Sequence, residues 1–211
     1  MASTFTKIPY GNKRAVSIES SIGNEAAVDS NGNISVSVDQ IDPTNNAVKQ
    51  VSYSHAELHS GTHYKNKKTV SILQSATKNI LIVTPNTTKW AHMIIEIGSS
   101  TSSVLVTLYE ASTTSSNGTL LTSRNRNRNV ADDNTTLVYE DPTITAVGDV
   151  ICTSYLGTAG TVQSRMGGNS RDEEEIVLKQ NTKYLVRIIE QGTSATNLTW
   201  SLDWYEHTNL A

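Results

Sequence analysis

Asn197-Leu198-Thr199-Trp200-Ser201-Leu202-Asp203-Trp204 alternates without a break, with Leu198, Trp200, Leu202 and Trp204 on one side and Thr199, Ser201 and Asp203 on the other. Successive side chains of an extended chain point to opposite faces, so this is a strand with one buried and one solvated face. Working back from it, Tyr184-Leu185-Val186-Arg187-Ile188-Ile189, Glu175-Ile176-Val177-Leu178, Asp149-Val150-Ile151-Cys152 and Thr136-Leu137-Val138-Tyr139 are short apolar runs bounded by turn residues. So are Val104–Tyr109, Trp90–Ile97, Asn79–Val83 and Thr69–Ile72. Strands at this spacing with no helix-period segment between them exclude a parallel βαβ sheet. About eight antiparallel strands joined by long polar connections predict an all-β fold, an antiparallel jelly-roll-like β-sandwich. Its core is expected to hold Leu198, Trp200, Leu202 and Trp204, with Trp90 or its strand neighbours Ala91, Met93 and Ile95.

Composition agrees. Of 211 residues, 27 are Thr, 25 Ser and 18 Asn, so about a third of the chain is uncharged and polar. Thr, Val, Ile and Tyr favour strands, while Ser, Asn and Gly favour turns. A formal charge of -3 with only 18% charged residues lacks the basic excess of a nucleic-acid binder. No run approaches the roughly 20 apolar residues of a membrane span, and the N-terminus has no apolar signal core. Neither nucleic acid nor membrane is therefore expected as a partner.

Residues 1–65 read differently, as an extended polar arm preceding a domain at 66–211. Turn formers dominate, and the one alternation is Ile34-Ser35-Val36-Ser37-Val38. A lone strand is not stable, so Ile34, Val36 and Val38 are expected to pair with another sheet or to order on a partner. Phe5 and Tyr10 lie in the same weakly cored region and are candidate contact anchors.

Little in the chain points to catalysis. Cys152 is the single cysteine, set in an apolar run where a buried, unreactive thiol is expected. His55, His59 and His63 recur every four residues, a zinc-like spacing on a helix. Gly61 argues against one helix carrying all three, and the segment reads instead as a polar, partly exposed connector. No nucleophile elbow, phosphate-binding glycine loop or paired-carboxylate signature appears, so no enzyme and no cofactor are expected. Arg124-Asn125-Arg126-Asn127-Arg128-Asn129 alternates strictly. In an extended chain Arg124, Arg126 and Arg128 would share one side and clamp carboxylates, with Asp172-Glu173-Glu174-Glu175 as the expected partner within or between subunits.

Trp90-Ala91-His92-Met93-Ile94-Ile95-Glu96, Leu178–Arg187, Leu202–Thr208 and, at their head, His59-Ser60-Gly61-Thr62-His63 carry a resemblance. Together, over about residues 55–208, they resemble small virion structural proteins of tailed bacteriophages, of the head decoration or cement type. The resemblance implies a β-sandwich on the capsid surface, made in the host bacterial cytoplasm, that binds the major capsid protein without catalysis. It assigns no functional residues. A dimer or trimer is expected on symmetry grounds. The rival reading is a tail or baseplate jelly-roll module that binds a host-surface glycan.

Overall fold

A computed structural model describes residues 53–156, 164–166 and 175–208, together with the two short strands β1 (Ala27–Val28) and β2 (Ile34–Ser35). The chain divides into two compact units, Met1–Val51 and Ser52–Ala211. In the first, β1 and β2 pair antiparallel, Val28 opposite Ile34. The alternation beginning at Ile34 thus enters a two-residue strand paired within its own unit. Phe5, Tyr10, Val36, Val38 and the side chain of Ile34 lie outside the described residues.

The second unit begins with helix α1 (Tyr53–Ser60), which the sequence reading missed. Gly61 ends it in a left-handed conformation, φ 81°, as its position among the histidines suggested. The strands follow as β3 (His63–Ile72), β4 (Thr77–Val83), β5 (Lys89–Ser99), β6 (Val104–Glu110), β7 (Thr113–Ser116) and β8 (Thr119–Leu121). Next come β9 (Arg124–Asn125), β10 (Leu137–Glu140), β11 (Thr143–Ala146), β12 (Asp149–Leu156) and β13 (Ser164–Met166). The last are β14 (Ile176–Leu178), β15 (Lys183–Glu190) and β16 (Thr196–Thr208). The domain boundary expected at residue 65 moves to Val51, because His63 and Tyr64 are buried in β3 and pair with β16.

One sheet has the order β12-β6-β15-β4-β10-β8; the other runs β13-β5-β16-β3-β9, with β14 also on β5. Counting β13 and β14 as one interrupted strand and setting β7–β11 aside leaves eight principal strands. The first lies beside the eighth (β3, β16) and the second beside the seventh (β4, β15). The third meets the sixth (β5, β13/β14) and the fourth meets the fifth (β6, β12). A long hairpin wrapped this way is a jelly roll, and the protein is an antiparallel jelly-roll sandwich.

The core lies between the sheets. Ile80, Ile82, Val106, Leu108, Val186 and Ile188 come from one, and Met93, Ile97, Leu198, Trp200, Leu202 and Trp204 from the other. The four alternating residues of β16 are fully buried, as their spacing predicted. Ala91, Met93 and Ile95 join them, whereas Trp90 is only half-buried. Each core indole finds an acceptor, Trp200 Nε1 donating to Asn66 Oδ1 at 3.1 Å and Trp204 Nε1 to Glu206 Oε1 at 3.0 Å.

β6 to β8 and β10 to β12 are two copies of one pattern. Tyr109-Glu110 and Tyr139-Glu140, thirty residues apart, each precede a Thr (Thr113, Thr143) and a Gly (Gly118, Gly148) at matching offsets. The copies interlock: β7 pairs with β11, β6 with β12, and β10 with β8. Both glycines have positive φ, and a Cβ on either would meet the other copy's glutamate carbonyl. The approach is 2.2 Å from Gly118 to Glu140 O and 2.0 Å from Gly148 to Glu110 O.

Candidate functional site

The side of the second sheet away from the core is polar but, unlike the solvated face expected of β16, it is largely covered: Ser201 is 4%, Asp203 8% and Tyr205 5% exposed. Along β16 the residues between the core positions are Ser201, Asp203, Tyr205 and His207, and Asp203 is opposite Lys65 and Ile94, Tyr205 opposite His63 and His92. Asp203 gathers cations: its carboxylate accepts from His63 Nε2 at 2.6 Å and lies 3.3 Å from Arg126 Nη1 and 3.7 Å from Lys65 Nζ. Beside it Glu175 Oε1 accepts from His92 Nδ1 and from the Tyr205 hydroxyl, both at 2.7 Å. His92 stacks on Tyr205 with ring centroids 4.7 Å apart, and its Nε2 faces His207 Nε2 at 2.8 Å. His207 Nδ1 in turn lies 2.7 Å from the carbonyl of Thr208.

His63 is buried, not partly exposed as expected, because strand β3 draws it under the Asp203 cluster. His55 and His59 stay exposed on α1 with Nε2 atoms 2.9 Å apart. The three histidines therefore do not share a helix face. Among the described residues no group of three or more His, Cys, Asp or Glu is placed to hold a metal ion.

The arginine run is extended only at Arg124–Asn125 and then turns. Arg124 and Arg128 converge on Asp132, at 2.8 and 3.1 Å, while Arg126 joins Asp203. These are their partners among the described residues; of the acidic run expected from sequence, Glu175 pairs with His92, and 172–174 lie outside the described residues. Asn125 is fully buried and bonds the carbonyls of Gly61 and Ala131, which fixes the turn. The Arg124 guanidinium first, then the backbone amide of Asn125 and Arg128, hold the Asp132 carboxyl down to about 2.

Other buried carboxylates are structural. Glu206 accepts from the amides of Thr135 and Thr136, the Thr135 hydroxyl and the Trp204 indole, closing the core at one end. Burial would raise the Glu190 carboxyl, but bonds from Ser102 and from the amides of Ser75 and Gly192 outweigh it and hold it below its ordinary value. Burial pushes the Tyr184 hydroxyl up to about 12.

The six-stranded sheet faces outward differently. Its register aligns Val150, Tyr109, Leu185, Leu81, Tyr139 and Leu120 in one row across all six strands, the two repeats forming its matching halves. Leu81 and Leu185 are buried at the centre, while Leu120 and Val150 are 55% and 61% exposed at the ends. Cys152 is exposed too, contrary to expectation, because β12 is an edge strand and its apolar run meets solvent. Sequence reading missed this row because cross-strand register, not local spacing, creates it; the thirty-residue repeat was its visible signal.

The segments containing His63, His92, Tyr184–Arg187 and Asp203–His207 are distant in sequence, yet four of these side chains (His63, His92, Asp203, Tyr205) meet in one patch on the β3–β16–β5 face. Comparison with known protein families and with curated proteins finds no match to this chain.

Proposed function

We propose that the protein is a non-enzymatic structural component of a tailed-phage virion, which binds the outside of the assembled capsid through the major capsid protein and stabilises it. Self-association accompanies that role, on the virion surface and after synthesis in the host cytoplasm. The observation that carries this reading is the convergence of the resembling segments. Residues from the His59–His63, Trp90–Glu96 and Leu202–Thr208 segments supply one ion-paired, stacked patch on a rigid jelly-roll face. Around the buried His63, Asp203 and Tyr205, the side chains of Lys65, Arg126, His92 and His207 keep part of their surface in solvent; groups fixed in this way suit a lattice contact repeated many times, because little side-chain entropy is left to lose on binding.

The test is addition of the purified full-length chain to expanded heads that lack it. Co-sedimentation at a fixed copy number, with a higher melting temperature of the heads, supports the proposal; failure to bind heads at any assembly stage overturns it.

A second reading has its own support, the outward tyrosines of the six-stranded sheet. Tyr155 is 62% exposed, and Tyr109 and Tyr139 are half-buried beside the polar row Asn79–Arg187–Thr107–Thr153. Aromatic rings next to hydrogen-bonding groups suit a saccharide. Glycan binding lost on Tyr155→Ala, with no affinity for heads, favours this tail or baseplate module.

A further inference from the structure

The two repeats end in equivalent strands at opposite edges of the six-stranded sheet, β8 and β12, and the edges are treated differently. β8 stops after three residues, and the chain crosses to the other sheet, where the carbonyl of Thr122 accepts from Asn66 and β9 pairs with β3. β12 runs on for eight residues, and among the described strands it pairs only with β6. Proteins blunt a free edge with lysine, proline, shortness or a cover, because its unpaired amides and carbonyls are a template for another strand. Asp149-Val150-Ile151-Cys152-Thr153-Ser154-Tyr155-Leu156 contains no lysine and no proline. It also exposes Val150 at 61%, Ile151 at 42% and Tyr155 at 62%. A bulge between Val150 and Cys152 is its one irregularity.

We infer that β12 is an interface, and that its occupant is β12 of a second copy of this chain, paired antiparallel about a two-fold axis at Thr153. Three features select a second copy. Thr153 and Tyr155 point to the outer face with Thr107 and Leu105 of β6, and Ile151, two residues before Thr153, is 42% exposed. A register centred on Thr153 then sets each Ile151 against Tyr155 of the second copy, two aliphatic–aromatic pairs of the kind that stabilise antiparallel strands. Asp149, the strand's only charge, falls beyond the end of the pairing and never meets its own counterpart. Finally, the apolar row from Leu120 to Val150 ends at this edge, so the dyad joins two such rows into one continuous outer surface. This contact is separate from the capsid-binding reading and stands without it.

The test uses the free full-length protein, with no capsid present. Sedimentation equilibrium across 1–100 μM should show a dimer that dissociates on dilution. Tyr155→Lys, a change at an exposed position, should give monomer at every concentration, with the melting temperature that the wild type shows when diluted to monomer. The register places Cys152 opposite Ser154 of the second copy, so Ser154→Cys should form a covalent dimer under oxidised glutathione, and should fail to do so when combined with Tyr155→Lys. A wild-type monomer at 100 μM, a dimer that survives Tyr155→Lys, or no cross-link in Ser154→Cys each overturns the inference. Head binding is measured separately, so failure of one reading does not imply failure of the other.

Discussion

Trp200→Ala tests the core at its densest point. The indole is fully buried on β16, between Lys68 of β3 and Ile97 of β5 in register, and its Nε1 donates to Asn66 Oδ1 at 3.1 Å. Truncating a buried tryptophan costs about 3–5 kcal/mol in transfer and cavity terms. Asn66 is itself only 4% exposed, so losing its donor adds about 1–3 kcal/mol. The sum, about 4–8 kcal/mol, is comparable with the ~5–15 kcal/mol that holds a typical domain folded. For a sandwich of this size each kcal/mol moves the midpoint by about 2–4 °C, so the variant should melt at least ~8 °C lower or not fold at all. Urea titration followed by far-UV circular dichroism measures the loss directly, provided the slope of the transition is unchanged. Trp200→Phe separates the two terms, since it keeps most of the ring volume and loses the N–H; it should cost about 1–3 kcal/mol. If Trp200→Ala melts within ~2 °C of wild type, the packing argument fails.

Glu206→Ala strips a common acceptor from the amides of Thr135 and Thr136 and from the Trp204 indole in a site 1% exposed, and should cost about 3 kcal/mol or more in a thermal melt. Glu206→Gln, which keeps one acceptor oxygen, should cost less. Acid should destabilise the sandwich. Glu190, Glu140 and Glu110 are held below their ordinary values and Asp132 is held near 2, so the unfolded chain takes up protons first as pH falls. Their stabilisation is complete above about pH 4.5 and is lost progressively towards pH 2, a trend that urea midpoints across that range will trace and that Glu190→Gln should flatten. Gly148→Ala drives a Cβ against Glu110 O at a φ of 87°, and should lower the melting temperature by several degrees, as should Gly118→Ala; an unchanged melt for both would remove the case for the interlocked repeat.

What the sequence determined by itself is the local part of the fold. Leu198, Trp200, Leu202 and Trp204 had to share a face because side chains alternate in any strand, and the short runs between Ser, Asn and Gly turns had to be antiparallel because no connection is long and helical enough to cross over. Gly61 ended its helix for an equally local reason, a backbone angle that other residues adopt only at a cost. Tertiary structure decided everything that depends on which strands are neighbours. Cys152 sits in an apolar run that looks buried, and only the position of β12 at a sheet edge exposes it. Arg124, Arg126 and Arg128 alternate as if on one face, yet a turn sends two to Asp132 and one to Asp203, whose partners come from β3 and from the segment after β9. The same holds for the His63–Asp203 pair and for the apolar row from Leu120 to Val150, whose members lie on six strands. Periodicity is a property of a few neighbouring residues, whereas register between distant strands is set by the closure of the whole jelly roll, and that is the level at which this protein's contact surfaces are made.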